Sequence, residues 1–230
     1  MMALLYSLFF ILMTVLLFLV FRKLYSFFPI PLLLPILTTT IAIVAFLVFF
    51  HIPYKTYMGG GQFINMLLGP AVVALAIPLY NQRKTIALNL VPILSGVTIG
   101  VIGGMLSALL LGRLAGLTRG MLISILPKSL TTPVAVQVAT SLGGLPAITA
   151  LFVMMAGLSG AIFGPSILSL FRINSLMGKG IALGSASHAM GTSKAAEFGE
   201  LPFSMSSVSM TLSAIIGSIV GPLMIWMLHI

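Results

Sequence analysis

Between its basic residues this chain runs apolar for about 20 residues at a time, the length a helix needs to cross the roughly 30 Å hydrocarbon core of a bilayer. No soluble fold clothes such a chain in polar surface: 60% of its residues are hydrophobic, 6% are charged, and the mean hydropathy is +1.24. The solvent is therefore mostly lipid. The fold class that follows is an all-α integral membrane protein with about six to eight transmembrane helices in one membrane domain. That leaves no room for a soluble catalytic domain, and the chain is not expected to be an enzyme. A net charge of +9 would suggest nucleic acid as partner in a soluble protein, but the basic residues cap apolar runs and read as anchors at the membrane surface. Cysteine is absent, which excludes disulfides, thiol catalysis and cysteine-ligated metals.

The expected spans follow in order. Leu4 to Val20 is closed by Arg22 and Lys23; it lacks a basic start and a small-residue cleavage site, and reads as a retained span and not a signal peptide. Pro29, Pro31 and Pro35 delay the second, placed at 32–50. Gly59, Gly60 and Gly61 lead into a third at 63–80, interrupted by Gly69-Pro70 and closed by Arg83 and Lys84. The fourth, 87–111, carries Gly96, Gly100, Gly103 and Gly104, which admit a neighbouring helix closely. Leu145–Leu170, ended by Arg172, and 203–228 complete the set. His51 and His229 fall at membrane ends.

Two stretches break this pattern. Residues 115–143 hold Arg119, Lys128, Ser129, Thr131, Thr132, Pro133 and Gln137 among short apolar pieces, and read as two half-helices with a break at Lys128 to Pro133. Residues 180–200 hold Ser187, His188, Thr192, Ser193 and Lys194, together with Glu197 and Glu200, the only acidic residues in the chain. A polar, glycine-rich segment inside membrane-like sequence marks a functional site by default. If Arg22/Lys23, Arg83/Lys84 and Arg172/Lys179 all lie in the cytoplasm, the N-terminus is outside and both stretches are re-entrant, dipping in from opposite faces. Non-helical backbone is tolerated at depth only when protein buries it or water lines it. Thr132-x-x-Ala135 recurs as Thr192-x-x-Ala195, Leu145-Pro146 as Leu201-Pro202, and Gly164-Pro165 as Gly221-Pro222. Together these sketch an inverted repeat, the plan of many secondary transporters. The expected division is a scaffold half, 1–114, and a transport half, 115–230, carrying both breaks.

At Lys128-Ser-Leu-Thr-Thr-Pro-Val-Ala and Ser187-His-Ala-Met-Gly-Thr-Ser-Lys the sequence resembles the LrgB/CidB family. Gly69-Pro-Ala-Val-Val-Ala-Leu-Ala-Ile-Pro-Leu-Tyr80 and Gly143-Gly-Leu-Pro-Ala147 look like further landmarks of that family, in its order, from about residue 56 onward. The resemblance implies a multi-pass protein of the bacterial inner membrane, holin- or antiholin-like and linked to murein hydrolase export and autolysis. It also implies transport of small 2-oxo- or 2-hydroxy-monocarboxylates such as pyruvate or glycolate, with a small LrgA/CidA-type membrane protein as partner.

For a small carboxylate, the substrate-binding candidates are Lys128, Ser129, Thr131 and Thr132 in the first break and Ser187, His188, Thr192, Ser193 and Lys194 in the second. Half-helix N-termini offer free N–H groups and a favourable dipole, the hydroxyls add donors, and the lysines add charge. The plain alternatives are lysines snorkelling to water, small residues packing helices, and a neutral histidine bonding across the break. His188, whose charge changes near neutral pH, and Glu197 are the candidates for proton coupling; Glu197 also stands at i, i+3 from Lys194 and can neutralise it. The spacing of His188, Glu197 and Glu200 matches no metal-ligand pattern, and no nucleotide or nucleophile motif is present, so neither metal nor cofactor is expected. The leading expectation is a secondary transporter or facilitator of small monocarboxylates in contact with membrane lipid. The alternatives are a holin-like regulator acting through homo-oligomers, and a non-transporting subunit that stabilises the small partner.

Overall fold

The computed structural model describes residues 2–28, 30, 33–67, 70, 73–74 and 76–228. Among them the chain is helical, with no strand. It divides into two compact units, residues 1–74 and 75–230. Among the described residues four helices are long and apolar enough to cross a membrane, and Pro35–Phe49 is a shorter apolar helix; part of the span expected at 63–80 lies outside the described residues.

In the first unit α1 (Met2–Phe27) packs against α2 (Pro35–Phe49) and α3 (Tyr54–Met66). Proline at the first position starts α2, where its missing N–H has no partner to lose. The glycines expected to lead into a span lie inside α3 instead. A Cβ on Gly60 would meet the Ser7 carbonyl of α1 at 2.5 Å, so they serve close approach between two helices. The seam is completed by Ser7 Oγ donating to the Gly59 carbonyl at 3.0 Å and by the Phe10 ring, edge-on to Tyr57. His51, exposed at φ 53°, ends α2 in a left-handed turn. The Gly69 position, Pro29, Pro31 and His229 lie outside the described residues.

The second unit begins with α4 (Ala76–Asn81) and α5 (Arg83–Leu88), both only six residues long. Arg83 and Lys84, expected to close a span, therefore sit in a short helix; the Arg83 guanidinium lies 4.1 Å over the Tyr80 ring and donates to its carbonyl. Next come α6 (Leu90–Leu114), α7 (Arg119–Ile125), α8 (Thr132–Ser141), α9 (Pro146–Leu170), α10 (Leu176–Ala195) and α11 (Glu200–Met227). The four long apolar helices are α1, α6, α9 and α11. The compact boundary lies at 74/75, and within the second unit α6 packs on α10 and α11.

The unit is apolar outside as well as in. Ile93, Val97, Val101, Met105 and Leu109 recur every four residues down the buried face of α6, against Leu126 and Leu130 of the first break and Met205 and Val208 of α11. Ile99, Leu110 and Leu111 face outward from the same helix. Lipid removes most of the hydrophobic drive for helices to associate, so close packing and hydrogen bonding must hold them together. The glycines do this at α10: a Cβ on Gly184 would strike the Ser206 carbonyl of α11, and one on Gly160 of α9 would overlap Ser187 Oγ. Gly184→Ala should therefore destabilise the fold by about 1–3 kcal/mol through overpacking. Gly103→Ala, whose Cβ meets nothing within 4 Å, should be neutral. Thermal unfolding of the two variants in detergent checks the contrast.

Candidate functional site

The first break lies between α7 and α8. Proline at 127 has no N–H to continue α7, and two tight turns follow, Lys128 N–H to the Ile125 carbonyl at 3.1 Å and Leu130 N–H to the Pro127 carbonyl at 2.9 Å. Thr131 then occupies the N-cap position of α8 without a side-chain capping bond, and with Pro133 in the first turn the helix begins within the span expected to be the break itself. At 1.5 Å per residue, seven- and ten-residue helices reach roughly 10 and 15 Å, each too short to cross a bilayer alone. Ser124 ties the break to α9: its Oγ donates to the Gly120 carbonyl and accepts the Leu145 N–H at 2.8 Å.

The second break is narrower than residues 180–200. Ser175 caps α10 by accepting the Gly178 N–H, and the helix runs regularly until Ser187 (φ −136°, ψ 20°) and His188 (φ 42°, ψ −134°). The His188 backbone occupies a region that favours glycine, a strain of about 1–3 kcal/mol that the surroundings must hold. Three contacts hold it. His188 Nε2 donates to the Val153 carbonyl of α9 at 2.9 Å, which assigns the ring proton to that nitrogen. A Cβ on Gly157 of α9 would lie 2.6 Å from His188 Cε1, so the ring lies where only glycine leaves room. Thr192 Oγ1, one turn on, donates to the His188 carbonyl at 3.0 Å and stands 3.0 Å from Ser206 Oγ of α11.

Two flanking helices bring the breaks together. Built Cβ atoms on Gly96, Gly100 and Gly104, successive turns of α6, would lie 3.3 Å from Ile181, 3.0 Å from Ser185 Oγ and 3.5 Å from Ser129 Oγ. On α11, Ser209 Oγ donates to the Ile181 carbonyl at 2.8 Å, and a Cβ on Gly217 would meet Leu130 at 2.6 Å. Both helices thus pass from α10, just before its break, to the first break over eight residues, roughly 12 Å.

The expected site residues sort accordingly. Ser129, Thr131, Ser187, His188 and Thr192 are buried at the breaks; Thr132 and Ser193 are exposed. Lys128 is half-buried, its Nζ donating to Ser129 Oγ at 3.3 Å. Lys194 is bound to Glu197 at 2.6 Å, the i, i+3 pair expected, so its charge is already matched within the protein. Glu200 is exposed at the start of α11. Of the repeated landmarks, Pro146 opens α9 and Pro202 stands third in α11, and Pro165 and Pro222 lie inside those helices. Among the described residues no group of three His, Asp or Glu is placed to hold a metal ion. An open groove of about 570 Å³ along α8 and α11, lined by Gln137, Thr140 and Ser218 among others, touches none of the break hydroxyls.

What sequence reasoning missed is the serine face of α11. Ser204, Ser206, Ser207, Ser209 and Ser213 are all buried in a helix read as an ordinary span. The signal was available in Ser204-Met-Ser-Ser-Val-Ser-Met-Thr-Leu-Ser213, five serines in ten residues of a membrane helix.

Apolar outer faces, buried serines and two helices broken inside the bundle define a multi-pass membrane protein with an internal polar seam. Residues 14–227 match the model of the LrgB-like family, and the chain belongs to that family. It is 58% identical to the uncharacterized protein YxaC of Bacillus subtilis, over 96% of each chain. It is 36% identical to the holin-like protein CidB of Staphylococcus aureus, over 95% of this chain and 96% of the relative. An uncharacterized protein of Haemophilus influenzae is 42% identical over 80% of each. No solved structure matches.

Thr192→Val should cost about 1–3 kcal/mol, because it strands the His188 carbonyl and the Ser206 hydroxyl. Adding Ser206→Ala should recover part of that loss, since both partners are then apolar. A double-mutant cycle by thermal unfolding in detergent reads the coupling; strict additivity would contradict the bond.

Proposed function

We propose that this protein is a secondary transporter or facilitator of small monocarboxylates across the bacterial cell membrane, with its solute site where the two breaks converge. The observation that carries the reading is Lys128. Three lysines are half-buried: Lys194 has Glu197 and Lys179 has the Phe198 ring, whereas Lys128, inside the first break, has only the Ser129 hydroxyl among the described residues. A partly desolvated ammonium without a protein counter-charge calls for an anion, and the free N–H groups that open α8 favour the same sign. Burial of Ser129, Thr131, His188 and Thr192 means that the solute enters by a rearrangement. Movement of the broken elements against α6 and α11 would open the seam to each side in turn. The inverted pairing of 115–143 with 180–200, and the scaffold and transport roles of the two parts, belong to this reading. So does proton coupling through His188, with Glu197 in a secondary part.

A second reading is favoured by the name of the CidB relatives: a holin-like protein that controls membrane lesions, alone as a homo-oligomer or with a small LrgA/CidA-type partner.

The test is uptake of labelled pyruvate, then glycolate, into proteoliposomes holding this chain alone. Saturable uptake is expected. Lys128→Gln should raise the KM about tenfold or more, the loss of one charge-assisted hydrogen bond, and Lys128→Arg should restore part of it. Leakage of neutral dye without saturable uptake would transfer the assignment to the second reading, and uptake indifferent to Lys128→Gln would remove the lysine from the site.

A further inference from the structure

Resting on that transporter reading, we propose that Ser213 of α11 is a specificity residue of the same site, its hydroxyl binding the 2-oxygen of a 2-oxo- or 2-hydroxy-monocarboxylate. Ser213 is 1% exposed and its Oγ has no hydrogen-bond partner. A helical serine or threonine commonly donates to the carbonyl one turn earlier. Ser207 and Thr211 of the same helix do so, to Phe203 and Ser207. Ser213 does not. Such a buried, unpartnered hydroxyl needs an explanation, and a bound solute or water completes it.

Its position says what it meets. Along α6 the order is Gly96 at Ile181, Gly100 at Ser185 and Gly104 at Ser129. Along α11 the order is Ser209 at Ile181 and Gly217 at Leu130, with Ser213 midway between them. Ser213 therefore stands at the level of Ser185, just ahead of the second break, and one turn, roughly 6 Å, from the residue packed on Leu130 of the first. It belongs to a face that continues from Ser206 and Ser209, whose hydroxyls are engaged by Thr192 and Ile181. Of this series Ser213 is the hydroxyl left for a ligand. The group is neutral, so it does not compete with Lys128 for the carboxylate. It can donate to a keto oxygen or accept from a hydroxyl, so 2-oxo and 2-hydroxy acids both satisfy it. An acid without the 2-oxygen leaves it unpaired and is rejected.

The test compares KM for pyruvate and for propionate, which lacks the 2-oxygen, in proteoliposomes of wild type and Ser213→Ala. Wild type should prefer pyruvate by about tenfold or more. Ser213→Ala should lose that preference by weakening pyruvate alone, with thermal stability at least that of wild type, since no protein bond is removed. A second readout uses the absence of native cysteine. Labelling of Ser213→Cys by a small neutral thiol reagent should be slowed by pyruvate and not by propionate, while labelling of Ser218→Cys, exposed on the same helix, is indifferent to both. An unchanged preference in Ser213→Ala overturns the proposal while leaving the transporter reading intact. Equal loss of both substrates with reduced stability also overturns it, by making the hydroxyl structural. Wild-type protein that moves neither acid overturns the transporter reading itself, and this proposal with it.

Discussion

A helix can be broken inside a bilayer only where protein, not lipid, receives the backbone groups that the break exposes. The second unit is arranged around that constraint. His188 sits at φ 42°, a conformation no histidine adopts without cost, and stays there because α9 offers the Val153 carbonyl to its ring and two glycines for it and Ser187 to lie against. On the other side α11 offers Ser206 to Thr192 and Ser209 to the Ile181 carbonyl. Remove either neighbour and the break has no shelter. The glycines, the serines and the strained histidine are thus one device read from three helices.

That device explains a composition that otherwise looks reversed. Large apolar side chains point outward from α6 and α11 as well as inward, and hydroxyls and glycines line the closest contacts with α10 and the first break. In water this would be unstable; in lipid, where leucine gains little by turning inward, small residues allow backbones to approach and hydroxyls to bond across. It also explains how chemistry enters a dry bundle. On the transport reading proposed above, a solute beside Lys128, Ser129 and the opening turn of α8 would meet donors already oriented by packing.

How much of this was legible in the sequence follows from what each signal measures. Hydropathy located α6, α9 and α11 to within a few residues, because crossing lipid is a requirement on every residue of a run. The polar interruptions at Lys128 to Pro133 and around His188 were legible as breaks for the converse reason. The compact boundary at 74/75 was not, since nothing local in Leu90–Leu114 says which neighbours it packs against. Gly59 to Gly61 misled: a glycine run reads as a loop until its partner, Ser7, is known. Of the candidate side chains, Ser129, Thr131, Ser187, His188 and Thr192 came out buried, Lys128 and Lys194 half-buried, and Thr132, Ser193 and Glu197 exposed, a distinction set by helical phase around each break. The serine face of α11 escaped because serines inside an apolar run scarcely lower its hydropathy.

The central claim is that α6 carries both breaks on adjacent turns, with Ser185 at Gly100 and Ser129 at Gly104. Cysteine pairs test it directly in a chain that has no cysteine of its own. Gly100→Cys with Ser185→Cys, and Gly104→Cys with Ser129→Cys, should each form a disulfide on mild oxidation in native membranes. Gly103→Cys with Ser129→Cys, one residue out of register, should not. Cross-linking of the offset pair with neither aligned pair reacting would place the breaks elsewhere and contradict the account.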